Sequence, residues 1–320
     1  MKILKKKEIY LLFVLIFFTI IITSFNVSFL SKESVSDILR TIAIPGILAT
    51  GVFVVILSGG VDISFGAIAT VSMFTAGRIM NTYGGNVFSS FLIGITIGML
   101  LGAINGLLVS KLKIPTIIVT LGTLSIFRSS LFLITGGVWI YELPNWFIRF
   151  GRIYILNIPI QAYFYIAIII FTWVILKYAT IGRGVYALGG SQESAFRIGF
   201  NLFKIQMFIY IYLGFIAGIA GVLNITIAEI VDPRSFTGIE FPVIVAVVLG
   251  GASIQGGTGS VIGTVLGSLF VATMSRGLIL TRVSSFWHEI IIGLLIMISI
   301  SIDTIQRKYK ESKRLRVSFD

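Results

Sequence analysis

The chain has 320 residues, 56% of them hydrophobic and 12% charged, with a formal charge of +12, no cysteine and one histidine, His288. A water-soluble domain carries about 25% charged residues, so a fold with polar surface on every side is excluded, as are disulfides, thiolate metal sites and any multi-histidine centre. The excess of Lys and Arg is read as the positive-inside bias of a membrane protein rather than as a nucleic-acid footprint.

Mean hydropathy is +1.02, and the apolar residues come in runs near the ~20 residues that cross a ~30 Å hydrocarbon layer. Lys2, Lys5, Lys6 and Lys7 precede the first run, Ile9–Phe25. A basic stretch before an apolar one also opens a secretory signal, but this run is long and no small-x-small cleavage site follows. It is read as an uncleaved first span with its lysines in the cytoplasm. The other end carries Arg307, Lys308, Lys310, Lys313, Arg314 and Arg316, which makes both termini cytoplasmic and the number of spans even.

Ten spans satisfy that parity, at about 9–29, 42–57, 66–80, 91–110, 115–135, 161–177, 205–227, 242–256, 259–276 and 287–303. Several are short for a full crossing, which predicts tilted, broken or re-entrant helices at the glycine-rich joints. The cytoplasmic segments of this scheme, with Lys111, Lys113, Lys177, Arg183, Arg197, Lys204 and the two ends, hold most of the 25 basic residues, and Arg128 falls inside a span. The expected fold is all-α and polytopic, one transmembrane domain over residues 1–320. Its longest cytoplasmic loop covers about 178–204 and its basic cytoplasmic tail 304–320.

Glycine is placed in order along these spans. Gly94, Gly98, Gly102 and Gly106 recur on the fourth, Gly214 and Gly218 on the seventh, and Gly259, Gly263 and Gly267 on the ninth. In lipid, helices associate through close backbone approach along such stripes, either within the chain or at a dimer seam. Two glycine-rich breaks, Leu57–Gly66 and Leu249–Gly259, fall at corresponding places in two halves. They point to an internal repeat around a central pathway. No phosphate-binding loop, H-E-x-x-H or G-x-S-x-G motif is present, so the chain is not expected to be an enzyme and no cofactor or metal site is expected. Acids are scarce within the spans, with Asp62 and Asp303 near span ends. That argues against a proton-coupled secondary transporter or channel, the alternative function, and against a membrane-embedded transferase.

The same stretches carry a family resemblance. Gly59-Gly-Val-Asp-Ile-Ser-Phe-Gly66, the block Ile114-Pro-Thr-Ile-Ile-Val-Thr-Leu-Gly-Thr-Leu124 with Arg128 and Thr135-Gly-Gly137 behind it, and Leu249 to Gly263 resemble the permease subunits of ATP-binding cassette importers of the ribose and simple-sugar type. These belong to the branched-chain amino-acid permease superfamily. Residues 136–144 and 286–289 look most like the autoinducer 2 permeases, with the rhamnose permeases close behind. The resemblance implies an importer of a sugar or sugar-like solute in the bacterial cell membrane, working by alternating access. It implies a second permease chain, two ATPase subunits on the cytoplasmic face that carry out ATP hydrolysis, and an extracytoplasmic solute-binding protein.

The segment Ile181–Gly199 is similar to the family's coupling helix, which implies an ATPase contact for Gly182, Arg183, Ala187, Gly189, Gly190, Glu193, Ala195, Arg197 and Gly199; Ser191 and Ser194 depart from the family pattern. Read alone, Glu193, Ala195, Arg197 and Ile198 form an amphipathic piece that inserts into a partner's cleft or lies on lipid headgroups. Candidates for the translocation pathway are Asp62, Asn105, Thr120, Thr123 and Arg128. Each has a structural alternative: a helix N-cap for Asp62, helix–helix hydrogen bonds for Asn105, Thr120 and Thr123, and an anchor to helix carbonyls for Arg128. Trp139 and Trp146 read as interfacial belt aromatics before ligand stackers. Asp232, Arg234, Glu240, Glu142 and Arg149 fall on external loops, as docking charges or as solvated ones.

Overall fold

A computed structural model of the chain describes residues 6–280 together with 287, 290, 291, 293, 294, 297 and 301. The predicted tenth span, 287–303, lies largely outside the described residues, as do His288, Asp303, Lys2, Lys5 and the basic tail. The rest is helical. Helix α1 (Lys6–Phe25) leads through a 3-10 turn (Val27–Leu30) into α2 (Lys32–Leu57), whose first turn is capped by Ser31 Oγ accepting the Ser34 N–H at 3.1 Å. There follow α3 (Phe65–Tyr83), α4 (Val87–Leu112), α5 (Thr116–Thr135) and the short α6 (Asn145–Gly151). A two-residue antiparallel ribbon, β1 (Tyr154–Ile155) with β2 (Ile158–Pro159), turns through Leu156 and Asn157, both at positive φ. Then come α7 (Ile160–Tyr178), α8 (Thr180–Gly190), α9 (Gln192–Arg197), α10 (Leu202–Ala228), α11 (Glu240–Leu249) and α12 (Val261–Leu280).

Among the described residues, α1, α2, α4, α5, α7, α10 and α12 are long and apolar enough to cross a membrane. The prediction differs from this at four places. Helix α3, expected as the span 66–80, is not among these helices, because Thr70, Ser72, Thr75, Arg78 and Asn81 dilute its hydropathy. Helix α2 begins ten residues before the expected start at 42, because Lys32, Glu33, Asp37 and Arg40 hide its first turns from a hydropathy reading. Helix α11 has only 10 residues, about 15 Å, so the expected span 242–256 is a half-crossing that ends where Gly250 and Gly251 begin an irregular loop. Helices α6, α8 and α9 are additional short helices that span nothing, which is why the described helices outnumber the expected spans.

The bundle is built around α2 and α10, most of whose residues are buried. Helices α3 and α4 pack on α10, and α7, α11 and α12 pack on α2. The glycine stripes explain how closely. A Cβ on Gly98 would collide with the carbonyl oxygen of Gly214, and one on Gly102 with that of Tyr210, so α4 and α10 meet backbone to backbone. Gly263 and Gly267 of α12 press in the same way on the carbonyls of Gly250 and Ala246. These stripes hold one chain together.

The two glycine-rich breaks meet at one end of the bundle. The Gly257 N–H donates to the Leu57 carbonyl at 2.8 Å, and Gly189, near the end of α8, lies against both with no room for a side chain. Ser260 donates to Glu8, which brings the start of α1 to the same end. At the opposite end Ile140 bridges Val231, and Arg276 pairs with Asp37 at 2.8 Å.

Candidate functional site

Three sets of polar side chains stand out, and the predicted site residues divide among them. The first set is sealed inside the protein. Asp62, in the loop between α2 and α3, accepts from the Ser64 N–H at 2.6 Å and from Ser64 Oγ at 2.7 Å. Asn105 of α4 donates to Ser64 Oγ at 2.8 Å and reaches Asp62 Oδ2 at 3.5 Å. From α5, Thr116 Oγ1 accepts the Val61 N–H at 3.1 Å, and Thr120 Oγ1 donates to the Val61 carbonyl at 3.4 Å. Thr123 Oγ1 donates weakly to the Thr120 carbonyl at 3.5 Å. Asp62, Ser64, Asn105 and Thr120 are all 0% exposed.

A buried carboxylate is tolerable only when its oxygens are hydrogen-bonded, and here one residue, Ser64, supplies two donors. Asp62 therefore ties the turn that leads into α3, while Ser64 occupies the N-cap position itself. The sequence singled out Asp62, Asn105 and Thr120 separately, and the fold brings them together. Ser64 and Thr116, which complete the cluster, were missed. The only available signal was their position, each just after a helix break, at the start of α3 and of α5.

The second set is an ion pair. Arg128 of α5 donates through Nη2 to Glu240 Oε1 at 3.0 Å, with the arginine side chain 31% and the glutamate side chain 10% exposed. Glu240 opens α11, where a carboxylate is favoured by the helix dipole, and Gly66 of α3 leaves space beside Glu240 Oε1. The reading of Glu240 as an external loop charge is thus corrected: the apolar run begins at Phe241, but the helix begins one residue earlier and takes Glu240 inside. Arg128 anchors to a carboxylate from another helix rather than to helix carbonyls, and part of its side chain is still open.

Outside the spanning segments, Arg152 grips Glu229 through two bonds of 2.8 and 2.7 Å. These bonds hold the Glu229 carboxyl below the usual carboxylate range. Arg149, Glu142 and Arg234 are exposed, and Asp232 accepts the Arg234 N–H at 2.8 Å in a local turn.

The third set is the α8–α9 segment. Ser191 ends α8 and caps α9 by accepting the Ser194 N–H at 3.2 Å. Of the predicted contact residues, Gly182 is buried against the last turn of α7, and Gly189 is wedged between Leu57 and Gly257. Ala195 is the buried residue of α9. Arg183, Gly190, Glu193, Arg197 and Gly199 are exposed, and Ala187 is half-buried. Glu193 and Arg197 pair with each other one turn apart. Phe196 and Ile198 stand 69% and 71% exposed, which gives the surface an apolar centre flanked by charge. Beside it opens a cavity of about 920 Å³ lined by Lys113, Ile114, Gln192, Phe196, Phe200 and Phe203.

Comparison with known proteins places this architecture. Residues 34–300 match the family described as the permease component of branched-chain amino acid transport systems. The chain is similar to the ribose import permease protein RbsC of Bacillus subtilis, 37% identical over 91% of this chain and 90% of the relative. It is similar to the autoinducer 2 import system permease protein LsrC of Photorhabdus luminescens, 35% identical over 84% and 81%. The RbsC protein of Haemophilus influenzae is 31% identical over 90% of each chain. No solved structure matches. The resemblance carried by the glycine motifs is borne out: this multi-span membrane protein belongs to the family of branched-chain amino acid transport system permease components.

Proposed function

We propose that this chain is the membrane-spanning permease subunit of an ATP-binding cassette importer that takes up a sugar or sugar-like solute of the ribose and autoinducer 2 kind. The observation that carries the reading is the exposed α9 surface. Phe196 and Ile198 are exposed beside the Glu193–Arg197 pair, next to a cavity able to receive a partner's side chains. Behind that surface, Gly189 touches both helix breaks. A partner that moves α8–α9 therefore moves the loop carrying Asp62 and the loop leading into α12.

In this reading the α8–α9 end faces the cytoplasm of a bacterial cell, since Lys111, Lys113, Lys177, Arg183, Arg197 and Lys204 cluster around it, and both termini lie on that side. Residues 1–320 form one permease domain, with 178–204 as its coupling loop. ATP is hydrolysed on separate ATPase subunits, a second permease chain completes the pathway, and a solute-binding protein docks at the opposite end. Arg128 is the pathway group with free donors for solute hydroxyls. Asp62, Asn105, Thr120 and Thr123 shape the wall behind it.

Affinity purification of the tagged chain from its native membrane, followed by mass spectrometry, tests this. A stoichiometric P-loop ATPase is expected. A chain that is recovered alone and still moves ribose into ATP-free vesicles would replace the importer reading with a secondary transporter.

A further inference from the structure

Two cavities lie between α3 and α5 at the end of the bundle opposite α9. One, of about 550 Å³, is lined by Arg78, Asn81, Trp139, Tyr141 and Glu142. The other, of about 300 Å³, continues from it along the helices past Thr75, Leu101, Phe127 and Ser130. Both are lined by Phe74, Arg78, Ile134 and Thr135, so they are two levels of one cleft. Their sizes fall in the ~300–1,000 Å³ range of small-molecule sites.

The chemistry changes with depth. At the mouth, a cation, an amide and a carboxylate stand beside two aromatic rings, Trp139 and Tyr141, whose centroids are 5.9 Å apart. Trp139 is 40% exposed and Tyr141 66%, and both line the opening. Arg78 is exposed and makes no ion pair among the described residues. Arg78 stands in the last turns of α3, where a long cationic side chain reaches the water layer. Deeper, the wall is apolar with hydroxyls from Thr75, Ser130 and Thr135. Its lining residue Phe127 is followed in sequence by Arg128, of the partly open ion pair.

We infer that this α3–α5 cleft is a solute vestibule for a polyhydroxylated, sugar-like ligand, with Trp139 as the stacking face and Arg78, Asn81 and Glu142 as its hydrogen-bonding groups. Donors and acceptors beside an aromatic plane suit a ring that has polar edges and apolar C–H faces. The hydroxyls below offer weak bonds that release easily on the way to Arg128. The assignment of the mouth to the outer face rests on the proposed importer orientation.

Because the chain has no cysteine, one introduced thiol reports on one place. Ser130→Cys, and Thr75→Cys from the opposite wall should the first not reach the membrane, are labelled in whole cells with the impermeant methanethiosulfonate ethylsulfonate. Ile170→Cys on the outer face of α7 is the reference. At least tenfold faster labelling of the cleft thiol is expected, slowed severalfold by D-ribose or autoinducer 2, with that protection lost on adding Arg78→Ala. Cleft thiols as slow as Ile170→Cys overturn the vestibule, and so does labelling that neither compound slows. Labelling needs no ATPase: protected thiols in a chain that purifies without one would sink the importer reading alone, while ATP-driven uptake with inert thiols would sink the vestibule alone.

Discussion

The Asp62 cluster and the Arg128–Glu240 pair sit in the same helical bundle, and each contains a carboxylate held by another residue's donors. They differ in closure. Asp62, Ser64 and Asn105 are wholly buried, whereas the Arg128 side chain keeps about a third of its surface open (31%). A closed cluster fixes the turn that launches α3. A partly open one holds two helices together and leaves some of the arginine side chain exposed. The difference teaches that a polar residue within a span is assigned by what surrounds it, and that similar one-letter signals can mark a rivet or a contact point.

The strongest attempt to break this contrast is Asp62→Ala. It leaves the Ser64 N–H and Oγ–H without their acceptor inside the protein, at a cost of about 1–3 kcal/mol for each buried donor left unsatisfied. The variant is expected to disappear from the membrane fraction or to melt far earlier in detergent; normal yield with impaired uptake would make Asp62 a pathway residue instead. Next in size, Gly98→Val forces α4 away from the Gly214 carbonyl, at about 1–3 kcal/mol. It should lower the melting temperature, whereas Gly122→Val, whose surroundings are open, should not.

Glu240→Gln sharpens the other side of the contrast. Arg128 stays partly solvated without its counter-charge, so uptake is expected to fall about tenfold, about 1.4 kcal/mol, with a small change in melting temperature. A loss of stability as large as that of Asp62→Ala would show that the pair is another rivet. The smallest effect belongs to Arg152→Gln. The Glu229 carboxyl is held low by Arg152, so the pair's contribution is fully present at neutral pH, above the ordinary carboxylate range, and is lost as pH falls through the lowered value. The melting-temperature gap between wild type and variant should therefore be small near pH 7 and vanish in acid.

Much of the bundle was legible in sequence because hydropathy sums local transfer energies. Helices α1, α4, α5, α7, α10 and α12 match their expected spans within a few residues at most boundaries. The glycine stripes foretold close helix contact, and the glycine motifs foretold the family. What was misjudged depended on partners far along the chain. Glu240 looked external because its arginine lies 112 residues earlier. The polar start of α2 looked like a loop because Arg276, which meets Asp37, is 239 residues away. The α3–α5 cleft was invisible because Arg78, Ser130 and Trp139 share no sequence pattern.

Composition and periodicity by themselves determined that this is an all-α membrane protein, where helices must break, and which faces must be small. Each of those properties is set by neighbours within a turn or two and by the solvent the chain must satisfy. Only the tertiary structure decided that the two glycine breaks meet each other and α8, that Asp62 is closed off, and that Arg128 is about a third open (31%). Those outcomes depend on which distant backbones approach within hydrogen-bonding distance, and that is a property of packing rather than of any local run of residues.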